Sequence, residues 1–399
     1  MPWQRWLRNS WISEKDVKGY DILINMSCVI ERDMRRIGMK LGIIGTGRIA
    51  RRAVKELAEV SGIESIFVFN PNFEHAKRFV DNCFCGEQEE KNDATGDEKY
   101  YTRNISKLGN MTAVCSLENF VGCVDAVYIA SPHGTHYTYS RQMLEAGKNV
   151  ICEKPMALKE IQVKELFDIA QDRNLVLMEA IKTEFCPGFK KLEEVIKSEV
   201  IGEVVDVEAA FTRLTKPVGR EFSDVAVGGS FTEFGTYCML PIFRFLGTEY
   251  DEVQFLSLPA ETKVDGYTKA IFTYKKDDCQ KNSDNSEENR LTDGTDVICK
   301  TATAKTGLTV KSEGQLLISG TGGYILVPSP WWLTKYFEVR YEDPLKVEKY
   351  ECEFLGDGLR YEFREFIDRI NAGRVTNNQK EEAIARAKVY ESFLKQYKE

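Results

Sequence analysis

Histidine is scarce in this chain, and paired cysteines are missing. Three histidines in 399 residues, without ligand spacing, argue against a structural zinc site. Eleven cysteines are scattered without a CxxC pair; Cys83-Phe84-Cys85 comes nearest. An odd count in a long chain, with no apolar signal-peptide core ahead of it, predicts free thiols in a reducing cytoplasm. No charge-free apolar run reaches the ~20 residues needed to cross a bilayer, so no membrane partner is expected. Positive charge is also in deficit. Lysine and arginine number 54 against 62 acids, and the net charge of −8 disfavours a nucleic-acid partner. Internal repeats are absent.

The length suits two domains, and the hydrophobic content is ample for large cores. The most informative stretch is Lys40-Leu41-Gly42-Ile43-Ile44-Gly45-Thr46-Gly47-Arg48-Ile49-Ala50. An apolar run enters Gly-x-Gly-x-x-Ala, and a helical pattern follows. This is the strand, turn and helix of a dinucleotide-binding fold. Gly45 allows the tight turn, Gly47 lets backbone approach a pyrophosphate, and Ala50 permits close helix–strand packing. The helix N-terminus offers free N–H groups to the phosphates. Further strands are expected at Glu64–Phe69, Ala126–Ala130 and Val176–Ile181, with helices from Arg51, Phe73, Tyr137 and Lys159. That alternation means a doubly wound parallel sheet with helices on both faces. The second half changes character. A helix at Phe189–Ser198 and a strand at Val204–Thr212 precede strands at Glu252–Leu258, Thr268–Tyr274, Val297–Lys305, Gln315–Ser319, Tyr324–Val327 and Tyr336–Tyr341. They predict a mainly antiparallel sheet in an α+β unit, closed by helices Arg360–Ala372 and Lys380–Tyr397. Two polar stretches, Glu87–Asn110 and Lys275–Asp296, read as surface insertions.

A second motif, Glu153-Lys154-Pro155, ends the apolar segment Asn149–Cys152. Together with Gly45–Ala50, Ser131-Pro132 and His136, Ala146-Gly147-Lys148, Met178-Glu179-Ala180, Gly228–Tyr237 and Gly356–Glu362, it makes the chain resemble the Gfo/Idh/MocA oxidoreductases. The Met-Glu-Ala segment and Tyr237 are most similar to the dimeric dihydrodiol dehydrogenase and xylose dehydrogenase branch. The resemblance spans roughly Met39 to the C-terminus. It implies a leader at 1–38 outside the core, a Rossmann domain at 39–183, and a substrate and oligomerisation domain at 184–399 with a large open-faced sheet. It implies an enzyme that moves hydride between NAD or NADP and a secondary alcohol of a sugar, cyclic polyol or related diol, working as a homodimer or homotetramer through the C-terminal sheet. Two other readings stay open: a cofactor-binding regulator without turnover, and an enzyme cycling tightly held NAD within one turnover.

The resemblance also assigns residues. Lys154 is the catalytic lysine, beside the nicotinamide and the reacting hydroxyl, and Pro155 restrains the backbone before it. Glu233 and Tyr237, four apart on one helical face, take the place of the family's catalytic pair, with glutamate where aspartate is usual. Tyr237 is the proton carrier, its phenol made usable by the Lys154 ammonium. Gly45, Thr46, Gly47, Arg48, Ile49, Asn70, Ser131, Pro132, His136, Glu153 and Lys154 form the cofactor surface. His136 has a helix-capping role as its alternative. Asn70, where an acid would select NAD, leaves the cofactor choice open. Arg220 and Trp331 are candidates for substrate contact; Trp331 and Trp332, after Pro328-Ser329-Pro330, either stack on a sugar ring or, the preferred reading, pack against the sheet edge. Cys152 reads as an inert buried thiol.

Overall fold

The computed structural model describes residues 38–84, 110–275, 298–373 and 379–398. The expected leader up to residue 37, and nearly all of both polar insertions, lie outside the described residues.

Six parallel strands form the first sheet: β1 (Met39–Ile44), β2 (Ile63–Phe69), β3 (Asn110–Val114), β4 (Ala126–Ile129), β5 (Asn149–Glu153) and β6 (Leu177–Ala180). Their spatial order is β3-β2-β1-β4-β5-β6, a doubly wound arrangement whose order reverses between β1 and β4. Strands β4 and β6 are buried on both faces, as a helix-covered parallel sheet requires. One face packs under the helices Arg48–Leu57 and Phe73–Phe84. The other packs under Leu117–Cys123, His136–Glu145 and Glu160–Asp172.

The second sheet has eight strands: β7 (Val204–Thr212), β8 (Glu252–Pro259), β9 (Asp265–Lys275), β10 (Ile298–Gly307), β11 (Leu316–Gly320), β12 (Gly323–Val327), β13 (Tyr336–Arg340) and β14 (Val347–Glu351). The order is β14-β13-β12-β11-β7-β10-β9-β8. Only β7 and β10 pair in parallel. The helix Ser230–Leu246 lies across β7, β9 and β10, so alternate side chains of those strands enter the core.

The closing helices do not stay with the second sheet. Helix Leu359–Asn371 packs Leu359, Phe363, Phe366 and Ile367 into the core of the first sheet. Salt bridges from Arg360 to Glu56 and from Arg52 to Asp357 fasten it there. Helix Lys380–Lys398 straddles the boundary. Ala383 and Ala387 join the first unit's core, whereas Val389, Tyr390 and Phe393 join the second's. Both closing helices thus share core with the first sheet as well as following the second in the chain.

Candidate active site

The site lies beyond the carboxyl ends of β1, β4 and β5, where the sheet order reverses. Gly45, directly after β1, has φ +113°, and a side chain there would run into the Ala130 carbonyl. Only glycine suits both conditions. Gly47 precedes helix Arg48–Leu57, whose N-terminus has no side-chain cap, and a Cβ on Gly47 would meet open space. Uncapped N–H groups beside that space fit the pyrophosphate of a dinucleotide. Thr46 and Asn70 come together here: Asn70 Nδ2 donates to Thr46 Oγ1 at 2.9 Å. Asn70 Oδ1 accepts from the Asn72 N–H at 2.9 Å and so turns the chain after β2. Arg48 is exposed beside the turn, while Ile49 is half-buried and packs inward.

After β4, Ser131 and Pro132 line the same edge, and Thr135 Oγ1 donates to Ser131 Oγ at 2.7 Å. His136 does not open on the cleft. It is fully buried, with Nδ1 and Nε2 each 2.8 Å from the carbonyl oxygens of Pro155 and Ser131. Its imidazole ties the β4 turn to the loop after β5 and is closed to cofactor. Burial lowers its pKa against the opposing pull of those two carbonyls.

Lys154 follows β5, and the Lys154–Pro155 bond is cis. The ammonium donates to the Glu233 carbonyl oxygen at 2.8 Å and lies 3.8 Å from its carboxylate. Glu233 and Tyr237 stand one turn apart on helix Ser230–Leu246, as their spacing requires. Asp265 holds the start of that helix, accepting from the Phe231 N–H at 2.8 Å and the Ser230 hydroxyl at 2.7 Å. Burial would raise the Glu233 pKa, but Lys154, His133, Arg48 and Arg213 outweigh it and hold the carboxyl below its ordinary range. Tyr237 is supported by an aromatic stack. Phe211 lies between Phe234 and Trp332, at 4.3 and 3.6 Å between centroids, and the Tyr237 ring is 5.3 Å from Phe211.

The structure departs from the sequence reading in several places. The Tyr237 pKa is raised, not lowered: burial and the Glu153 and Glu362 carboxylates outweigh Arg52. Glu153 turns inward, accepting from the Tyr128 hydroxyl at 2.6 Å. Its carboxylate is therefore committed to the protein and not to cofactor. Trp331 is core, fully buried with Nε1 donating to the Ala210 carbonyl at 2.9 Å. Trp332, half-buried at the end of the stack, is the tryptophan beside the site. Arg220 is exposed on a short helix, near enough to His133 to lower its pKa further. His133 was missed. Its Nε2 lies 3.8 Å from Glu233 Oε2, and desolvation pushes its pKa down to about 3. It falls in the turn after β4, where spacing alone predicts no partner.

Among the described residues no cluster could hold a metal ion, and no helix is long and apolar enough to cross a membrane. None of the described cysteines is in a disulfide. Cys152 is buried, and burial raises its thiol pKa out of the reactive range.

Residues 39–181 match the family model described as "Oxidoreductase family, NAD-binding Rossmann fold". The scyllo-inositol 2-dehydrogenase (NADP(+)) of Bacillus subtilis is 26% identical over 368 residues, covering 90% of this chain and 97% of that protein. The trans-1,2-dihydrobenzene-1,2-diol dehydrogenase of Sus scrofa is 34% identical over 152 residues, 38% of this chain and 45% of that enzyme. A 3-ketoreductase from Actinomadura kijaniata, solved with NADP and TDP-benzene, superposes with a TM-score of 0.68 at 22% identity, covering 89% of this chain and 96% of that one.

Proposed function

We infer that this chain, whose residues 39–181 belong to the Gfo/Idh/MocA oxidoreductases, is an NAD(P)-dependent enzyme acting on a CH–OH group of a sugar, cyclic polyol or related diol. The observation that carries the reading is the meeting of Lys154 with Glu233 and Tyr237 at the sheet edge that also bears the Gly45–Gly47 turn. The helix N-terminus at Gly47, Thr46 and Asn70, and Ser131 and Pro132 would hold the cofactor. When bound, nicotinamide supplies hydride exchange with the substrate carbon. This chain's own part is positioning and proton handling. Lys154 carries a positive charge toward the substrate oxygen and favours its alkoxide character. Tyr237, with its raised pKa, remains a phenol and donates the proton as a carbonyl becomes an alcohol; the reverse direction returns it. Glu233, kept ionised, balances Lys154 and fixes its place.

Arg220 and Trp332 would face the substrate. The second sheet exposes Leu256, Leu258, Ile298 and Val347 on strands β8, β10 and β14, which supports assembly of identical chains through it. The free described thiols favour a cytoplasmic setting. The test is a panel of inositols, aldoses and cyclic diols assayed with NAD and NADP for the nicotinamide absorbance change. Turnover of a polyol or sugar that disappears in Lys154→Ala supports the reading. Cofactor binding without turnover anywhere on the panel would replace it with a non-catalytic one.

A further inference from the structure

A buried chain of ion pairs links the two halves of the site without entering it. Met156, two residues past Lys154, donates its N–H to Glu179 Oε1 at 2.9 Å. The other oxygen, Oε2, accepts from Arg386 Nη2 at 2.8 Å and Nε at 3.1 Å. Glu179 and Arg386 are 2% and 1% exposed. Arg386 Nη1 reaches Glu382 Oε2 at 3.3 Å, and Glu382 Oε1 accepts from Arg244 Nε at 2.6 Å. Arg244 stands two turns beyond Tyr237 on the same helix. Next to Tyr237 on that helix, Thr236 Oγ1 and the Tyr390 hydroxyl are 2.7 Å apart. Helix Lys380–Lys398 thus holds the lysine loop through Arg386 and the tyrosine helix through Glu382 and Tyr390.

We propose that Glu179 and Arg386 are positioning residues that set Lys154 against helix Ser230–Leu246. The proposal rests on the reading of Lys154 as catalytic. Two guanidinium N–H groups converge on Oε2 and so hold the carboxylate with Oε1 turned to the loop. Glu179 spends its free oxygen on one backbone N–H of the loop. Apolar side chains of the same size would fill the space equally well but would leave Met156 without that hold. The Met156 N–H needs an acceptor once buried, so the loop would shift to find another.

The test uses the full chain and does not require its substrate. Glu179→Leu with Arg386→Met removes both charges together, and with them the acceptor for the Met156 N–H, and avoids leaving one buried ion unpaired. Arg386→Lys, which keeps the charge but loses the fork, is the milder companion. Each is pulse-labelled with acetic anhydride in the presence of NADPH, and acetylation is counted by peptide mass spectrometry at Lys154 and Lys182. Lys182 is the control, because it is equally buried and held independently by Asp357 at 2.9 Å. The expected result is several-fold faster labelling of Lys154 with Lys182 unchanged, and an intermediate rise in Arg386→Lys. Equal rises at both lysines would assign the pair a general structural role and overturn the proposal, as would no rise at Lys154. With a panel substrate, turnover should fall about 10²-fold with little change in KM, the scale of a 1 Å misplacement. Turnover retained in Lys154→Ala would remove the catalytic reading. Turnover lost in Lys154→Ala but retained in the paired variant would remove only this inference.

Discussion

Lys154 meets Tyr237 over the face of its ring, 5.4 Å from the centroid, while its hydrogen bond goes to the Glu233 carbonyl. The ammonium is thus a neighbour of the phenol's π-cloud and not a partner of its hydroxyl. This explains why proximity to a cation does not lower the Tyr237 pKa. Desolvation dominates, and the carboxylates of Glu153 and Glu362 add to it. On the proposed function, the two groups would address a substrate oxygen as separate donors.

Replacing Gly47 and Gly45 should have different consequences. Gly47→Val should keep the wild-type melting temperature, since a side chain there enters open space, yet block the pyrophosphate approach. Gly45→Ala should destabilise the fold, because it combines positive φ with collision against the Ala130 carbonyl. Calorimetric titration with NADH and NADPH, beside thermal melting, separates the two. Unchanged affinity in Gly47→Val would take the cofactor away from this turn.

Asn70→Asp should shift preference toward NAD by repelling a 2′-phosphate. It also removes the donor to Thr46 Oγ1, so some affinity for both cofactors should go with it. The discriminating quantity is the ratio of NADP to NAD dissociation constants. If that ratio does not move, Asn70 does not face the adenosine ribose.

Much of this organisation was legible before the fold was known. Strand β7 occupies the expected residues, because Val204–Thr212 follows Gly202 and is rich in β-branched and apolar residues. Strand β14 escaped notice because Val347-Glu348-Lys349-Tyr350-Glu351 is a charged edge strand with almost no buried side chain. Strand β3 follows a polar insertion and is only five residues long. The Gly45 turn and Lys154 were readable as local motifs. His133 and the Glu179–Arg386 pair were not, since each depends on a partner 100 or 207 residues away. The inward turn of Glu153 was equally hidden, since its partner Tyr128 reads as an ordinary strand residue.

Glu362→Gln should alter how stability depends on pH. Glu362 is fully buried, and neither carboxylate oxygen has a hydrogen-bond partner among the described residues. Burial, then Glu153, Asp357 and Glu184, raise its pKa well above normal against the pull of Lys182. A raised folded-state pKa means the contribution is whole below the unfolded value and is lost as pH climbs toward the folded one. Each unit of difference corresponds to about 1.4 kcal/mol. Glutamine mimics the neutral acid and has no such loss. Urea melts at pH 4.5, 6 and 8 should therefore show Glu362→Gln gaining on wild type as pH rises. A gap independent of pH would mean that Glu362 does not titrate within this range.

Tyr237→Phe should reduce turnover by about 10²–10⁴-fold, the usual contribution of a general acid or base, with NAD(P)H affinity nearly unchanged. The phenylalanine ring keeps its contact with Phe211 and the face offered to Lys154, so the stack stays intact. Lys154→Ala should also be severe, because it leaves the Glu233 carbonyl and carboxylate without their cation. If Lys154 and Tyr237 serve one oxygen, as proposed, the double variant should lose much less than the product of the single losses. His136 offers no substitute, since both its ring nitrogens are occupied by carbonyls. Near wild-type turnover in Tyr237→Phe would leave Lys154 as the group that handles the proton.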